Sequence, residues 1–328
     1  MALIVLTEPD PRESFIRLLK RLAYFLVPIS VLFIKYYPQW GRSYSAWTGE
    51  VTISGITLGK NALGTDCLIL SLFFIWYFLQ IRGMDRGKER RNEFILCIIF
   101  IVMISWLFFI SNSKTPLVAV SIGSAIMILT GARWVNRRMV GVYLVSAIVV
   151  IAIAEQFFGL YEIALHLLGR SVTLTDRTYL WQDLLKTDIN PLLGEGFESF
   201  WLGERMAKMW ELHPWRPNQA HNGYLETYIN LGLIGLFLLI VWIGSTFRRI
   251  QHALLTDFEF GRFRLGFLTA VVLYNWTEAS FKSLHPLWTV FYLISLEAPR
   301  PQIKELRPPD QNTLVEDRYH PAGTSTEV

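Results

Sequence analysis

The segment between residues 170 and 226 contains the side chains best suited to chemistry. His221 directly precedes Asn222, a residue type that favours the N-cap position of a helix. The partial positive charge of a helix N-terminus disfavours a charged imidazole and attracts anionic ligands. A neutral imidazole can accept a proton as a general base, so His221 is a candidate for that role. The alternative is a structural histidine that bonds a loop carbonyl at a membrane interface.

Arg177 is the second candidate, because a guanidinium presents a planar set of donors that matches phosphate oxygens. It lies near the start of residues 175–185, which predict an amphipathic helix capped by Thr175 or Asp176. The apolar face of this helix is formed by Leu180, Trp181, Leu184 and Leu185. We expect the helix to lie in the membrane interface with its tryptophan among lipid headgroups. In the alternative interpretation it is only an anchor, and its arginine is solvated.

Further polar residues on the same predicted face are candidates for substrate binding. They are Arg42, Lys60, Asn61, Arg216, Asn222 and Glu278. Glu278 belongs to a polar cluster near the end of a hydrophobic run, where an ionisable side chain needs a partner or a function. Lys282, one helical turn later, is its simplest partner.

These residues must be positioned by membrane-spanning helices. The chain is 52% hydrophobic with a mean hydropathy of +0.34, and its charges are confined to short stretches between long apolar runs. We predict an all-α, polytopic integral membrane protein of about eight spans, since each crossing takes roughly 20 residues. The spans are expected at residues 22–37, 65–81, 94–110, 116–131, 139–158, 223–247, 265–281 and 286–296. The first is a retained span rather than a signal peptide.

The basic residues predict which loops stay in the cytoplasm. Residues 82–91, 133–138 and 248–264 are rich in Lys and Arg, and eight spans put all three on one side together with the basic leader. The resulting divisions are a cytoplasmic leader (1–21), five spans (22–158) with an outer loop at 38–64, a large periplasmic loop (159–222), three spans (223–297), and a disordered cytoplasmic tail (298–328).

Several functional classes lack support in the sequence. There is no phosphate-binding glycine loop, no H-E-x-x-H helix, no CxxC pair and no acid-x-acid loop for a nucleotide sugar. Cys67 and Cys97 lie inside apolar runs, which favours a packing role. The net charge of +4 resides at span ends and does not indicate nucleic-acid binding. We therefore predict no metal and no cofactor, and any sugar chemistry requires an already activated donor.

Four short motifs, taken in order, resemble the O-antigen ligase and polymerase family, including its exopolysaccharide-production proteins. The motifs lie at residues 59–64 (GKNALG), 176–181 (DRTYLW), 191–197 (PLLGEGF) and 221–226 (HNGYLE), the last followed by LGLIG at 231–235. The resemblance covers roughly residues 20–297. It is the order of the motifs and their common predicted face that make the set specific.

The resemblance implies a GT-C-like glycosyltransferase of the bacterial inner membrane with its active site facing the periplasm. Such proteins transfer a glycan from undecaprenyl diphosphate to a hydroxyl of another glycan or of the lipid A core. By this resemblance His221 would activate the acceptor hydroxyl and Arg177 would hold the diphosphate. The implied partners are the lipid-linked glycan, the acceptor and membrane lipids, with no nucleic acid.

The sequence also departs from the family pattern. Gly59 and Asp176 stand where many members have a His and a Gly, and members usually have about ten to twelve spans. The chain begins near what looks like their middle, as expected from a misassigned start, a truncated gene or a reduced form. Two other functions therefore stay open, a polysaccharide transporter or flippase-like protein and an inactive assembly partner. Broken helices, which are typical of transporters, are not predicted from the sequence.

Overall fold

The computed structural model describes residues 5, 7–44, 49–159 and 177–296, and this part of the chain is mostly helical. A two-stranded antiparallel hairpin, which the all-α prediction lacked, pairs β1 (Arg42–Tyr44) with β2 (Val51–Ile53). The helices are α1 (Pro11–Tyr36), α2 (Pro38–Gly41), α3 (Lys60–Ile81), α4 (Lys88–Ser111), α5 (Lys114–Leu129), α6 (Val140–Phe158), α7 (Arg177–Lys186), α8 (Gly203–Leu212), α9 (Gly223–Thr256), α10 (Phe258–Thr277) and α11 (Pro286–Ser295).

Four of the described helical segments are long and apolar enough to cross a membrane: Lys60–Ile81, Lys88–Ser111, Arg137–Phe157 and Gly223–Thr256. Two further apolar helices, α5 and α11, are shorter than a full span. Each of the eight predicted runs coincides with a helix, the remaining two being α1 and α10. The helical positions are therefore as expected, whereas a count of eight crossings stays a prediction.

The predicted cytoplasmic segments contact one another at one end of the helices. Lys20 of the leader forms a salt bridge of 2.9 Å with Glu93, which follows the first basic loop. Arg12 similarly pairs with Asp257 at 3.1 Å, between α9 and α10. The guanidinium of Arg137 stacks over the ring of Phe258, with 3.6 Å from its central carbon to the ring centroid. These contacts join all the basic segments. That the segments lie on the cytoplasmic side of the membrane stays a prediction.

Helix α10 is central, because it packs against α5, α9 and α3. It crosses α5 where two glycines meet. A Cβ atom on Gly123 would lie 2.6 Å from the carbonyl oxygen of Gly266, and a Cβ atom on Gly266 would lie 2.6 Å from the carbonyl oxygen of Gly123. Small residues at such a crossing let two backbones approach closely. The same helix carries Asn275 and ends just before Glu278, so its packing fixes where these two residues lie relative to the other helices.

Helix α9 is broken at Gly232, whose φ of 63° and ψ of −162° are not helical. The loop that contains Gly194 docks into the break. Its backbone N–H groups at Glu195 and Gly196 donate to the carbonyls of Ile229 and Asn230, both at 2.9 Å. In return, the N–H groups of Leu233 and Ile234 donate to the carbonyls of Pro191 and Leu192, at 2.8 and 3.2 Å. The loop thereby satisfies the backbone groups that the break releases, as irregular backbone within a membrane requires.

The break gives the PLLGEGF motif (residues 191–197) a structural role, because the backbone of this loop completes the hydrogen bonding of α9. A side chain on Gly232 would lie 2.2 Å from the carbonyl carbon of Leu192, so this glycine accommodates a loop rather than a neighbouring helix. The expectation that no broken helix is present was wrong. A glycine within an apolar run has the same sequence pattern whether the helix continues through it or breaks at it.

A hydrophobic cluster separate from the main core joins the region before α9 to the start of that helix. Leu180 and Leu184 of α7 are fully buried in it, and the other buried members are Phe200, Trp201, Met209, Ala220 and Ile229. The apolar face of α7 therefore packs largely within the protein, whereas the sequence suggested lipid; only Leu185 is exposed, at 63%. The predicted caps Thr175 and Asp176, like the tail at 298–328, lie outside the described residues.

We predict that Gly232→Ala destabilises the protein by about 1–3 kcal/mol, because this backbone conformation is nearly restricted to glycine. Thermal unfolding of the purified protein in detergent measures the effect. Gly244→Ala on the same helix is the matched control, since open space surrounds the position of its new methyl group. Equal unfolding temperatures for the two variants would show that the break is not required.

Candidate functional site

The carboxylate of Glu278, just after α10, gathers residues from three other segments. Its Oε1 accepts hydrogen bonds from Arg177 Nη2 at 3.0 Å and from Asn61 Nδ2 at 3.3 Å. Its other oxygen, Oε2, lies 3.5 Å from Nδ1 of His221. Both catalytic candidates and one binding candidate therefore meet at a single carboxylate.

The pair of Arg177 and Glu278 is shielded from solvent, with 11% and 7% of the two side chains exposed. Arg177 also donates from Nη1 to the carbonyl of Thr277, at the C-terminal end of α10. A cation is favoured there, because the last carbonyls of a helix carry partial negative charge. The expectation that Lys282 is the partner of Glu278 is corrected: Arg177 from a distant segment takes that place.

Lys282 instead connects the site to Gln219. Its Nζ donates to Gln219 Oε1 at 3.1 Å, while Nε2 of the same amide lies 3.4 Å from Nδ1 of His221. Lysine can only donate, so this contact fixes which end of the amide faces the imidazole. A cation, an amide and an imidazole thus form a short chain leading away from Glu278.

The Nδ1 atom of His221 faces both the amide nitrogen of Gln219 and the carboxylate of Glu278, and a neutral ring can satisfy only one of them. A hydrogen on Nδ1 would be donated to the carboxylate, which is the stronger, charge-assisted partner. That tautomer leaves Nε2 with a free lone pair. A third group that orients the imidazole, here a carboxylate, is a recurring feature of sites in which histidine acts as a base.

The turn before α9 is fixed by its own residues. Asn222 caps the helix, accepting from the backbone N–H groups of Tyr224 and Leu225 at 3.0 Å each. A Cβ atom on Gly223 would lie 2.1 Å from Oδ1 of Asn275. Because glycine has no side chain, α9 can start directly against α10. His221 has a φ of 49°, in the left-handed region. Close contact between the two helices therefore brings the imidazole to Glu278.

Glu226 holds the chain on the other side of His221. Its buried carboxylate accepts from the backbone N–H of Ala220 at 2.6 Å, from Trp201 Nε1 at 2.9 Å and from Asn230 Nδ2 at 3.2 Å. The carbonyl of Ala220 accepts from Trp181 Nε1 at 2.8 Å, so this backbone position is bonded on both sides. The tryptophan expected among lipid headgroups thus supports the histidine turn.

Four of the predicted binding residues do not reach the carboxylate of Glu278 by any contact that the structure describes. Arg42 is exposed on β1 and approaches the carbonyl of Ile34 at 3.5 Å. Lys60 is exposed at the start of α3. Arg216 is exposed, with its guanidinium 5.5 Å from the ring centroid of Trp210. Asn222 uses its side chain as a helix cap, so its part in the site is positional.

Sequence reasoning missed Gln219 and the support that Glu226 gives to the histidine turn. Neither has a sequence signal of its own, because an amide in a loop and an acid in the first turn of a helix are both common. The informative signal was Glu278, an acid near the end of an apolar run that required a partner. Among the described residues, no group of three His, Cys, Asp or Glu side chains is arranged to hold a metal ion.

His285 is a further histidine near the site and lies in the connection between α10 and α11. Burial, together with the positive charge of Lys282, lowers the pKa of His285 to about 4. The neutral ring can then accept from the backbone N–H of Leu287 at 3.3 Å and cap α11. His285 therefore has a structural role at the start of α11, and its backbone N–H donates to the carbonyl of Lys282 at 3.4 Å.

The helices and this buried charged cluster define a polytopic, mostly helical membrane protein with a polar site at one end. Residues 98–240 match the sequence model of a family described as O-antigen ligase. The matched part includes Arg177, His221 and the break at Gly232, whereas Asn61 and Glu278 lie outside it. Over these residues the chain is therefore similar to the O-antigen ligase family, which confirms the resemblance inferred from the motifs.

Curated relatives agree with this assignment. The "Exopolysaccharide production protein ExoQ" of Rhizobium meliloti (strain 1021) is 31% identical over 115 residues, which are 33% of this chain and 26% of that protein. The "Putative polysaccharide ligase RT0347" of Rickettsia typhi (strain ATCC VR-144 / Wilmington) is 24% identical over 256 residues, or 72% of this chain and 56% of the relative. The chain thus spans from a quarter to just over half of the length of these relatives.

We predict that Arg177 and Glu278 are energetically coupled. Glu278→Gln should destabilise the protein by about 3–5 kcal/mol, because it leaves a buried guanidinium without its countercharge. Arg177→Met should act similarly by stranding the carboxylate. The double variant should lose clearly less stability than the sum of the two single variants, as measured by unfolding in detergent. Strict additivity would contradict a direct pair.

Proposed function

We propose that this chain is a metal-independent membrane glycosyltransferase acting in bacterial polysaccharide biosynthesis, with a ligase-like or polymerase-like reaction. It transfers a glycan from an undecaprenyl diphosphate carrier to a hydroxyl of a second glycan or of a lipid A core. The observation that carries the proposal is the convergence of Arg177, His221 and Asn61 on Glu278. The names of the relatives, which concern polysaccharide ligation and exopolysaccharide production, support the same substrate class.

Arg177 is proposed to bind the diphosphate of the donor. Two of its donors are held by Glu278 and by the carbonyl of Thr277. A guanidinium has five N–H donors, so the others can contact phosphate oxygens without breaking the pair. Negative charge builds up on the diphosphate as the glycosidic bond breaks, and a positioned cation stabilises that charge most in the transition state.

His221 is proposed to accept the proton of the acceptor hydroxyl on Nε2. The hydroxyl oxygen then bonds to the anomeric carbon, while the bond from that carbon to the diphosphate breaks and its electron pair leaves with the lipid diphosphate. The Nδ1–H remains directed at Glu278, which stabilises the imidazolium that forms. Asn61 restrains the other oxygen of the same carboxylate. Arg42, Lys60 and Arg216 remain candidates for wider electrostatic attraction of the anionic donor.

The reaction is proposed to occur at the periplasmic face of the bacterial inner membrane. The site lies at the end of the helices opposite to the basic segments, and such segments are retained in the cytoplasm. An undecaprenyl carrier resides in the bilayer, so its diphosphate would be held at the same depth as a site near helix ends.

We predict that His221→Gln lowers the rate of glycan transfer by about 10²- to 10⁴-fold, because the general base is removed. Arg177→Lys should also lower the rate, since a point charge cannot reproduce the planar contacts of a guanidinium. The full chain, purified and reconstituted in lipid, is assayed with glycan on undecaprenyl diphosphate and a glycan acceptor. His252→Gln, an exposed histidine on α9 far from the site, is the matched control. Full activity of the His221 variant would refute the proposed chemistry.

A second candidate function is a transporter or flippase-like protein for polysaccharide. The broken helix α9 favours it, because transporters often place discontinuous helices at their binding sites. Reconstituted vesicles separate the two functions. Movement of lipid-linked glycan between leaflets without formation of glycosidic bonds would favour transport, and neither activity would favour an inactive assembly partner.

A further inference from the structure

A cavity between α3, α4 and α5 is used by none of the roles proposed above. It has a volume of about 440 Å³. Thr115, which follows the lining residue Lys114, contacts the side chain of Thr277 with 2.9 Å between the two hydroxyl oxygens. Phe109 and Leu117 line the cavity and are 85% and 40% exposed. The cavity therefore borders the end of the helices that carries the charged site, and it opens through their side, where lipid surrounds a membrane protein.

The polar side chains of the lining form no hydrogen bond or ion pair within the part of the chain that the structure describes. Three of them are the hydroxyls of Ser71, Ser105 and Ser113, and the other two are Asn112 and Lys114. Ser113 is 6% exposed and stands at the N-cap of α5, yet its side chain does not cap the helix. Polar groups without partners are costly at membrane depth, so this set indicates a polar ligand.

Other serines of the same helices satisfy their hydroxyls internally. Ser111 donates to the carbonyl of Phe108 at 3.2 Å, and Ser121 donates to the carbonyl of Leu117 at 2.9 Å. Such bonds to a preceding turn are the usual solution for serine in a helix. The serines that line the cavity do not use this solution, so their hydroxyls are available to a bound molecule.

Ser71 and Ser105 lie at similar depths below Ser113. A Cβ atom on Gly64 would lie 2.6 Å from Oγ of Ser113, so Ser113 is level with Gly64 on α3. Ser71 follows Gly64 by two helical turns, which correspond to roughly 10 Å. Ser105 precedes the end of α4 at Ser111 by a distance of roughly 9 Å. The lining therefore has a cation near the helix ends and, farther in, two hydroxyls from neighbouring helices.

Apolar side chains follow one helical turn beyond these two serines. They are Ile75 on α3 and Ile101 on α4. The order of a cation, two hydroxyl donors and hydrocarbon matches a glycerophospholipid, which has a phosphate, then two ester carbonyls, then acyl chains. Carbonyl oxygens only accept hydrogen bonds, so they are complementary to hydroxyl donors. A polyprenyl diphosphate has no acceptor below its phosphates and would leave both hydroxyls unbonded.

We propose that this cavity binds a glycerophospholipid whose head group has no charge other than its phosphate, such as phosphatidylglycerol. Lys114 contacts the phosphate at the start of α5, while Ser71 and Ser105 donate to the ester carbonyls. The described lining contains no acidic side chain that could pair with the ammonium group of phosphatidylethanolamine. The lipid takes no part in the proposed glycosyl transfer. It joins three helices beside Thr277 and thereby stabilises the folded protein.

The test measures lipid binding to the full chain, purified in detergent and depleted of lipid, by native mass spectrometry and thermal unfolding. The added lipids are ester-linked phosphatidylglycerol, its ether-linked analogue, phosphatidylethanolamine and undecaprenyl phosphate. We expect the ester form to bind about 10-fold more tightly than the ether form, which lacks the two carbonyl acceptors. It should bind about 5-fold or more tighter than the other two lipids, which leave a charge or hydroxyls unpaired. It should also raise the unfolding temperature, because it binds the folded state.

Serine variants separate hydrogen bonding from packing. The double variant Ser71→Ala/Ser105→Ala should bind the ester form about 10-fold more weakly and the ether form unchanged, because only the ester form contacts the hydroxyls. Ser121→Ala is the matched control, since its hydroxyl bonds its own helix and lies outside the lining. It should bind both forms as the unaltered protein does. Equal weakening of the two forms in the double variant would overturn the assigned hydrogen bonds.

Lys114→Gln tests the contact with the phosphate. It should weaken binding of phosphatidylglycerol by about 10-fold or more, because a charge-assisted contact is lost. Lys35→Gln is the matched control, an exposed lysine in the last turn of α1 that lies outside the lining. Glycerol phosphate without chains should not displace the lipid, because it cannot fill the apolar part of the cavity.

Three results would each overturn the proposal. They are displacement of the lipid by glycerol phosphate, equal or tighter binding of phosphatidylethanolamine or undecaprenyl phosphate, and unchanged binding in Lys114→Gln. None of these measurements requires glycan transfer, so failure of the lipid site is distinguished from failure of the proposed function.

Discussion

The arrangement of this protein depends on one buried carboxylate. Glu278 is 6% exposed at the end of a helix packed among four others, and a negative charge in that position requires nearby donors. Arg177 supplies the countercharge, Asn61 supplies a hydrogen bond, and His221 lies against the remaining oxygen. The segments that carry these side chains are far apart in sequence. Meeting the needs of one charge therefore organises the site.

The break in α9 and the histidine turn are two parts of the same construction. At Gly232 the helix admits the backbone of the preceding loop, which satisfies the groups that the break releases. At Gly223 the same helix starts directly against Asn275 of α10. Between these points, Glu226 bonds the backbone of Ala220 and holds the residue before His221. Backbone hydrogen bonding and close packing thus hold the backbone of His221 in the left-handed conformation.

The polar contacts of the site extend beyond Glu278 to the connection between α10 and α11. Gln219 forms this extension, because its amide contacts both the imidazole of His221 and the ammonium of Lys282. The burial of Arg177 and Glu278 strengthens their interaction, because solvent screens a buried pair less than an exposed one.

The sequence by itself determined the helical architecture, the positions of the apolar runs, the family resemblance and the two residues that face each other across Glu278. Apolar periodicity and helix caps are local properties, so they can be read without a fold. Only the tertiary structure decided that Arg177, rather than Lys282, neutralises Glu278, that Leu180 and Leu184 pack against protein, and that Gly232 breaks a helix. Each of these depends on contacts between distant segments, which residue type and spacing do not encode.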